Sequence, residues 1–567
     1  MGPRQAPEKQ GSRASRLEAF FPLALAVCTA IAYAPTFKNG FVHLDDPAQL
    51  TQNARVLSGV SWDTFLWSFT GESFAQPLTV LAYALLNSLF GLNPAVFHGA
   101  SLLLHVANAL LLFSFFKKAT GDFLPSAAVA SLFALHPVNV ESVAWVAELN
   151  NVLSGTFFML TLHAYLWYAQ RPTPLAYLAT ASALILGLFS KQVLMTVPFL
   201  LLLLDLWPLR RVSIQRVGKK VRLEGVPATR LVAEKIPLVA VSMAVLATAI
   251  AGLESHNSFI GTSLVPVGLR VSNAVLSYFR YLEKLFIPAG LAPLYAYPRS
   301  IALWKAAAAL AAILAASAYA LREAGRRPYL AVGWFWFLGV MAPFLGLIQA
   351  GQWPEMAERY AYLTTIGVFV VLAWGAKEAA ASRRSLGRVL VALALAAVTA
   401  CAVLTWRQVG FFRDSRVLFE RVVQVHPQNP MGHRNLGTEL LQAGDIEAAI
   451  ASYERAIALD PTFPVNHYNM GLALTMAGRL DEAIASYEKG IALDEAGGVP
   501  EGSPDLDYVQ KNRVDFLSQA HNNLGYLLGA RGRTEDAVRH LTRALELNPA
   551  NARARSNLEK ITGAALQ

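Results

Sequence analysis

Two adjacent carboxylates, Asp45 and Asp46, lie in the stretch FVHLDDPAQL just beyond the first long apolar run of this 567-residue chain. A carboxylate beside a membrane segment is expensive unless water or function holds it there, and it is suited to take a proton from a hydroxyl. More ionisable residues stand at the ends of other apolar runs: His136, Glu141, Glu148, Lys191, Glu254, His256, Arg270, Arg280, Glu355, Glu358 and Arg359. Collected on one face, they would supply what group transfer from a lipid-phosphate donor needs. Asp45 or Asp46 would be the base; Lys191, Arg280, Arg359 and His136 would meet the departing phosphate, supported by Glu141 and Glu358.

Each of these residues also has a plainer reading. Asp46 precedes Pro47, a pairing suited to an N-cap followed by proline at the first helical position, so the two acids can simply start a helix. Lys191 can snorkel from a helix end, Arg359 can pair with Glu355 or Glu358, and Asp205 can pair with Arg210. His98, His105 and His163 fall inside apolar runs and read as packed against neighbouring helices. His43 with the two aspartates has poor metal-ligand spacing and no thiol nearby, so no metal is expected.

The elements that must position these groups follow from composition. With 54% hydrophobic and 15% charged residues and a mean hydropathy of +0.39, the chain reads as a polytopic membrane protein. Runs of about 17 to 25 apolar residues, long enough to span, recur from Leu17 to Trp406 and then stop. Spans are expected near 17–36, 95–116, 124–136, 151–170, 174–190, 193–209, 236–253, 300–321, 329–349, 361–378 and 388–406. The amphipathic 264–286, with Arg270, Arg280, Glu283 and Lys284, is expected to lie along the interface.

Charge distribution excludes nucleic acid as a partner and orients the spans. From residue 410 onward there are 16 Lys and Arg against 20 Asp and Glu, which leaves 32 against 18 before it. That excess crowds short loops such as Arg210 to Arg230 and Arg383 to Arg388, a positive-inside pattern that makes the amino terminus cytoplasmic. Eleven crossings then put the C-terminal part on the outer face with Asp45 and Asp46. The only cysteines, Cys28 and Cys401, lie within spans, and no Asn-x-Ser/Thr sequon occurs. With the Ala- and Arg-rich composition, these features lean towards a bacterial inner membrane over the endoplasmic reticulum.

Beyond residue 410 the chain repeats itself. NLGTELLQAGDIEAAIASYERAIALDP, NMGLALTMAGRLDEAIASYEKGIALDE and NLGYLLGARGRTEDAVRHLTRALELNP align. Gly437 and Gly471 are 34 residues apart, the period of tetratricopeptide repeats, and Gly525 follows after a 20-residue insertion. The fold class is therefore all-α: a membrane domain over 1–409, then a repeat solenoid over 410–567 with units near 430–463, 464–495 and 518–551. A lone helix over 413–425 and a polar cap over 551–563 complete the stack. Asn435, Asn466, Asn469, Asn522 and Asn523 are candidates for a groove that takes an acceptor polypeptide, since amide side chains hydrogen-bond a peptide backbone whatever its sequence.

The order of motifs resembles a known family. FxxLDD in a long first outer loop is followed by QPLTVLAYALLNSLFGLNPAVFHGASLLLHVANALLLF, ALHPVNVESVAWV, SKQVLMTVPFLLLLLDLWPL, MAERYAYL and terminal repeats. This layout is similar to the transmembrane and tetratricopeptide repeat-containing protein O-mannosyltransferases of the C-type glycosyltransferase superfamily. The resemblance implies an inverting enzyme with a polyprenyl- or dolichyl-phosphate mannose donor and Ser/Thr acceptors. It implies a base at Asp45 or Asp46, with Lys191 and the Glu358–Arg359 element near the donor. Three repeats are few for that family. Two other classes stay open: a transporter or flippase would place its charges at mid-membrane on broken helices, and a repeat scaffold would need far fewer than eleven spans.

Overall fold

In the computed structural model, residues 8–70, 76–217, 220–255, 265–298, 300–347, 355–497 and 506–563 are described. His256 and most of the acidic loop between the second and third repeats lie outside them. Helices occupy all eleven expected positions, from Glu8–Tyr33 to Arg384–Val409. By length and apolarity alone, six helices among the described residues can cross a bilayer, or seven if a bent pair counts as one. Pro174–Ser190, Gln192–Leu206 and Pro328–Phe344 are apolar but shorter. The helix Leu149–Gln170 buries Asn150, Asn151, Ser154 and Thr161, so its polar side faces protein and it forms part of the interior.

Three features depart from the expected pattern. The first long loop contains a 14-residue apolar helix, Pro77–Phe90, which Pro77 starts and Gly91 stops. The basic loop folds into a two-stranded hairpin, Val212–Val217 against Lys220–Gly225, a small exception to the all-α class. The run 124–136 does not end cleanly: Phe123–Leu135 and Pro137–Ala144 form a pair bent by 50°, because Pro137 cannot donate back into the preceding helix.

The amphipathic Val267–Phe286 is not among the spanning helices. It buries its polar side, with Asn273, Ser277 and Tyr281 inward, and leaves Val267, Val271 and Phe286 exposed. Small residues set the tightest approach in the bundle: a Cβ on Gly333 would meet the Gly367 carbonyl at 2.4 Å, so Pro328–Met341 and Ala361–Ser382 touch backbone to backbone.

The repeats form the expected antiparallel pairs: Pro430–Gln442 with Ile446–Leu459, Pro464–Met476 with Leu480–Glu495, and Leu506–Ala530 with Thr534–Leu547. Ser415–Val425 precedes them and Ala552–Thr562 closes the stack. The glycine positions explain the closeness of the pairs. A Cβ on Gly437, Gly471 or Gly525 would lie within 2.8 Å of Tyr453, Tyr487 or Leu541, the side chains that fill the gap.

The repeats are packed directly on the membrane part. Ala292, Leu294 and Leu44 join the hydrophobic core of the solenoid. Segment 39–43 of the first loop bonds across this junction: Asn39 Nδ2 donates to the Val409 carbonyl at the end of Arg384–Val409 (3.2 Å), Gly40 N to the Arg413 carbonyl (2.8 Å), and His43 N to Ser415 Oγ (2.8 Å). The acidic pair and the repeats therefore share one face of the protein.

Candidate active site

Four chain breaks bring the polar residues together. The first helix runs into a 3₁₀ turn, Ala34–Lys38, with Pro35 near its start, and irregular backbone then leads through a turn at 43–45 to Asp45. After Pro137, the short helices Val140–Ala144 and Val146–Glu148 carry Glu141 and Glu148 at the head of Leu149–Gln170. Lys191 is extended (φ −160°, ψ 135°) between Pro174–Ser190 and the turn Gln192–Thr196. That turn folds back because a Cβ on Gly187 would stand 2.2 Å from Leu194. A 3₁₀ turn, Glu358–Tyr360, presents Arg359 at the start of Ala361–Ser382.

The charges from these breaks form one network. Arg359 Nη1 meets Glu141 Oε1 at 2.5 Å, and Arg359 Nε meets Glu148 Oε1 at 3.3 Å. The Arg359 backbone N–H donates to Glu141 Oε2 at 2.9 Å. Lys191 Nζ donates to Glu148 Oε2 (2.9 Å) and to Asn150 Oδ1 (3.0 Å), which leaves one ammonium N–H unassigned among the described residues. Asn151 Nδ2 braces Glu148 Oε2 at 2.8 Å, and Asn150 Nδ2 reaches Gln76 Oε1 at 3.1 Å. The guanidinium lies 5.6 Å from the Trp145 ring centroid and 5.0 Å from that of Tyr360. Arg359 therefore pairs with neither Glu355 nor Glu358. Lys191 does not snorkel outward; it is tied into the network.

The two aspartates have opposite environments. Asp46 is 1% exposed and both its oxygens accept backbone N–H groups, Oδ2 from Val42 (2.8 Å) and Oδ1 from Ala147 (2.9 Å). It caps nothing; its side chain ties the first loop to the 140–148 segment. Burial pushes its carboxyl up to about 7 against the downward pull of those two donors. Asp45 is partly exposed, and no group among the described residues hydrogen-bonds its carboxylate. Burial is also the main cause that pushes Asp45 up, to about 6. Arg359 and Lys191 pull it down, while Glu148 and Glu141 push it further up.

Other expected residues lie elsewhere. Both ring nitrogens of His136 are used by backbone, Nε2 with the Leu285 carbonyl (2.9 Å) and Nδ1 with Val138 N (3.2 Å), so it braces the bend and offers nothing to a phosphate. Arg280 forms its own ion pair with Glu355 (2.5 Å) and donates from Nη1 to Asn273 Oδ1 (2.9 Å). Glu358 is buried beside Glu141 and accepts from the Tyr295 hydroxyl. Asp205 pairs with Arg211 and Lys235, not with Arg210. His98, His105 and His163 are packed, each bonded to a backbone carbonyl.

In the solenoid, Asn435 and Asn469 occupy the same position of successive repeats, 34 residues apart, and neither amide is bonded to another described residue. Asn523, 54 residues on, donates to Tyr487 Oη at 3.1 Å. Asn466 is buried and donates to the Asp460 carbonyl (3.1 Å), so it closes a helix junction and leaves the groove set. Asn522 accepts from Asn557 (2.9 Å) and helps line a cavity of about 440 Å³ with Asn523, Tyr526, Arg553 and Lys560. Sequence reasoning missed Gln76, Asn150, Asn151 and Trp145. The run ELNNV at a helix start was the one available signal, since consecutive amides are costly in a membrane interior without partners.

Comparison with known proteins bears on the repeats and on the family resemblance. Models of the tetratricopeptide repeat match residues 437–478, 466–496 and 518–551. The chain is similar to Protein O-mannosyl-transferase TMTC1 of Mus musculus, 29% identical over 29% of this chain and 18% of the relative. It is similar to TMTC2 of Homo sapiens, 33% identical over 18% of this chain and 13% of the relative. To TMTC4 of Homo sapiens it is 25% identical over 76% of this chain and 65% of the relative. In each case the chain spans less than two thirds of the relative's length. By sequence the chain is thus a relative of the TMTC protein O-mannosyl-transferases, with tetratricopeptide repeats in its C-terminal part.

Proposed function

We propose that the protein is a membrane glycosyltransferase that moves a sugar, mannose by the names of its relatives, from a polyprenyl-phosphate donor to Ser or Thr hydroxyls of a polypeptide. The observation that carries this reading is the Asp45 carboxylate, partly exposed and unbonded, beside the cations Arg359 and Lys191. Its oxygen accepts the proton of the acceptor hydroxyl as that hydroxyl attacks the anomeric carbon. The bond from that carbon to the phosphate oxygen breaks, its electron pair leaves on polyprenyl phosphate, and the configuration inverts. Arg359 and Lys191 meet the growing phosphate charge, held in place beforehand by Glu141, Glu148 and Asn150.

The carboxylate neighbours have a further use. Glu141 and Glu148 raise the basicity of Asp45, and a bound phosphodiester anion adds to that effect. Asp46 holds the loop and takes no proton. The repeats bind the acceptor through Asn435, Asn469 and Asn523, with Asn522 at the far end. The reaction runs on the outer or lumenal face, in a bacterial cell membrane by the composition and the lack of sequons.

Transfer from polyprenyl-phosphate mannose, and from other lipid-linked sugars, to a Ser/Thr peptide tests this directly. Wild type transfers and Asp45→Asn does not; equal rates for the two with intact folding would reject the base. Protease digestion of the repeats in oriented vesicles from the cytoplasmic side alone would reject the topology.

A further inference from the structure

We infer that the repeat domain is a working part of the active site: its Ser415 and Glu439 are positioning residues that hold the Asp45 loop. The inference rests on the proposed reaction for its kinetics, but its geometry stands apart from it. Segment 39–44 belongs to no helix or strand; its local bonds are Val42 N to Asp46 Oδ2 and a tight turn from Leu44 N to the Val42 carbonyl. Much of its hold comes from residues some 370 to 396 positions away: the Arg413 carbonyl on Gly40 N, Ser415 Oγ on His43 N, and Glu439 Oε1 on His43 Nδ1 at 2.9 Å. Leu44 is packed into the solenoid core. Asp45 comes next in the chain.

On the membrane side the loop is held by Asp46, which accepts from Ala147 N and Val42 N, by Asn39 on the Val409 carbonyl and by His98 on the Gly40 carbonyl (3.3 Å), so the carboxylate of Asp45 is suspended between the solenoid and the membrane part. Removing the solenoid grip frees the His43 end of the loop, the end next to Asp45. A displacement of about 1 Å in a reacting group costs roughly a hundredfold in rate, so the repeats set turnover as well as acceptor affinity.

The same contact points the groove at the base. Asn435 and Glu439 are i and i+4 on Pro430–Gln442 and therefore share a helix face. The row Asn523, Asn469, Asn435 thus ends beside the residue that grips His43. A polypeptide laid along that row is led to the Asp45 loop.

The test compares wild type, Ser415→Ala/Glu439→Gln, and Asn435→Ala/Asn469→Ala as full-length chains in detergent or nanodiscs. Acceptors are a peptide too short to reach two repeats and a long one. Ser415→Ala/Glu439→Gln lowers kcat by roughly ten- to a hundredfold on both acceptors with KM little changed, whereas the asparagine pair raises KM for the long acceptor alone. A kcat equal to wild type, or a loss confined to KM of the long acceptor, overturns the inference and leaves the reaction standing.

Two readouts do not depend on a correct donor or on the stability of one variant. Amide hydrogen exchange of 39–46, without donor, speeds up in Ser415→Ala/Glu439→Gln; unchanged exchange overturns the inference even if no transfer is ever seen. A His43→Cys/Glu439→Cys chain in which Cys28 and Cys401 are changed to Ser is slow when reduced and regains turnover when oxidised. Equal rates in the two states also overturn it.

Discussion

Two ionic networks lie at opposite ends of one helix, and only one of them is left incomplete. At the head of Leu149–Gln170, Arg359 and Lys191 face three carboxyl groups, Asp45, Glu141 and Glu148, with Asp46 next to Asp45 and Glu358 next to Glu141. Near its tail, about 24 Å away by helical rise, Tyr165 is enclosed by Asp205, Glu234, Arg211 and Lys235. There Lys235 Nζ meets Asp205 Oδ2 at 2.5 Å, Arg211 forks onto Glu234 at 2.8 and 3.0 Å, and acids equal buried cations. Asp205 and Lys235 are 0% and 2% exposed. A balanced, closed network latches helices; an acid-rich one with a partly exposed carboxylate that no described residue hydrogen-bonds has a group left to react. The difference separates structure from chemistry where residue type alone cannot.

Asp45→Asn breaks the comparison most sharply. Transfer falls by about 10²- to 10⁴-fold, the usual range for loss of a general base, while the thermal unfolding midpoint stays put, because no described residue hydrogen-bonds that carboxylate. The reverse is expected of Asp205→Asn, which strands Lys235 in the interior. Stability drops by about 3–5 kcal/mol, read by thermal or denaturant unfolding in detergent, while the folded fraction keeps its kcat. A catalytic loss in Asp205→Asn larger than its loss of folded protein would erase the distinction.

Arg359→Lys keeps the charge but loses the fork shared between Glu141 and Glu148, and turnover falls roughly a hundredfold with folding preserved. Asp46→Asn turns an amide towards one of two N–H donors and costs about 1–3 kcal/mol, a stability effect seen in the unfolding midpoint and larger than that of Asp45→Asn. If the two aspartate variants destabilise equally, their division of labour is wrong.

The smallest effect is in the pH profile. With Asp45 raised to about 6, kcat/KM falls about tenfold per unit below that pH as the base is protonated. Glu148 is one of the groups that raise it, so Glu148→Gln moves the acid limb to lower pH. A limb that stays in place or moves up would remove Glu148 from the surroundings of Asp45.

Much of this architecture was readable from residues alone. Apolar runs located helices at eleven positions, because burial in lipid or protein demands the same local composition. The 34-residue spacing of Gly437 and Gly471 announced paired helices, since only a small residue admits Tyr453 or Tyr487 at under 3 Å. Pattern reading was weakest where a helix is both polar and buried, as in Leu149–Gln170, or apolar and short, as in Pro77–Phe90. Hydropathy scores composition and cannot tell a lipid-facing side from a protein-facing one.

By itself the sequence determined that the chain is membrane-borne, that it carries tetratricopeptide repeats, and which side chains are dear enough to need a reason. Their pairing was decided only in three dimensions. Arg359 lies 218 residues from Glu141, Ala147 lies 101 from Asp46, and Glu439 lies 396 from His43. No local periodicity encodes such partners, because a charge in a low-dielectric interior takes whichever opposite charge the packing brings within reach. Packing alone tied Asp46 into the backbone, left Asp45 partly exposed, and laid the solenoid against their loop.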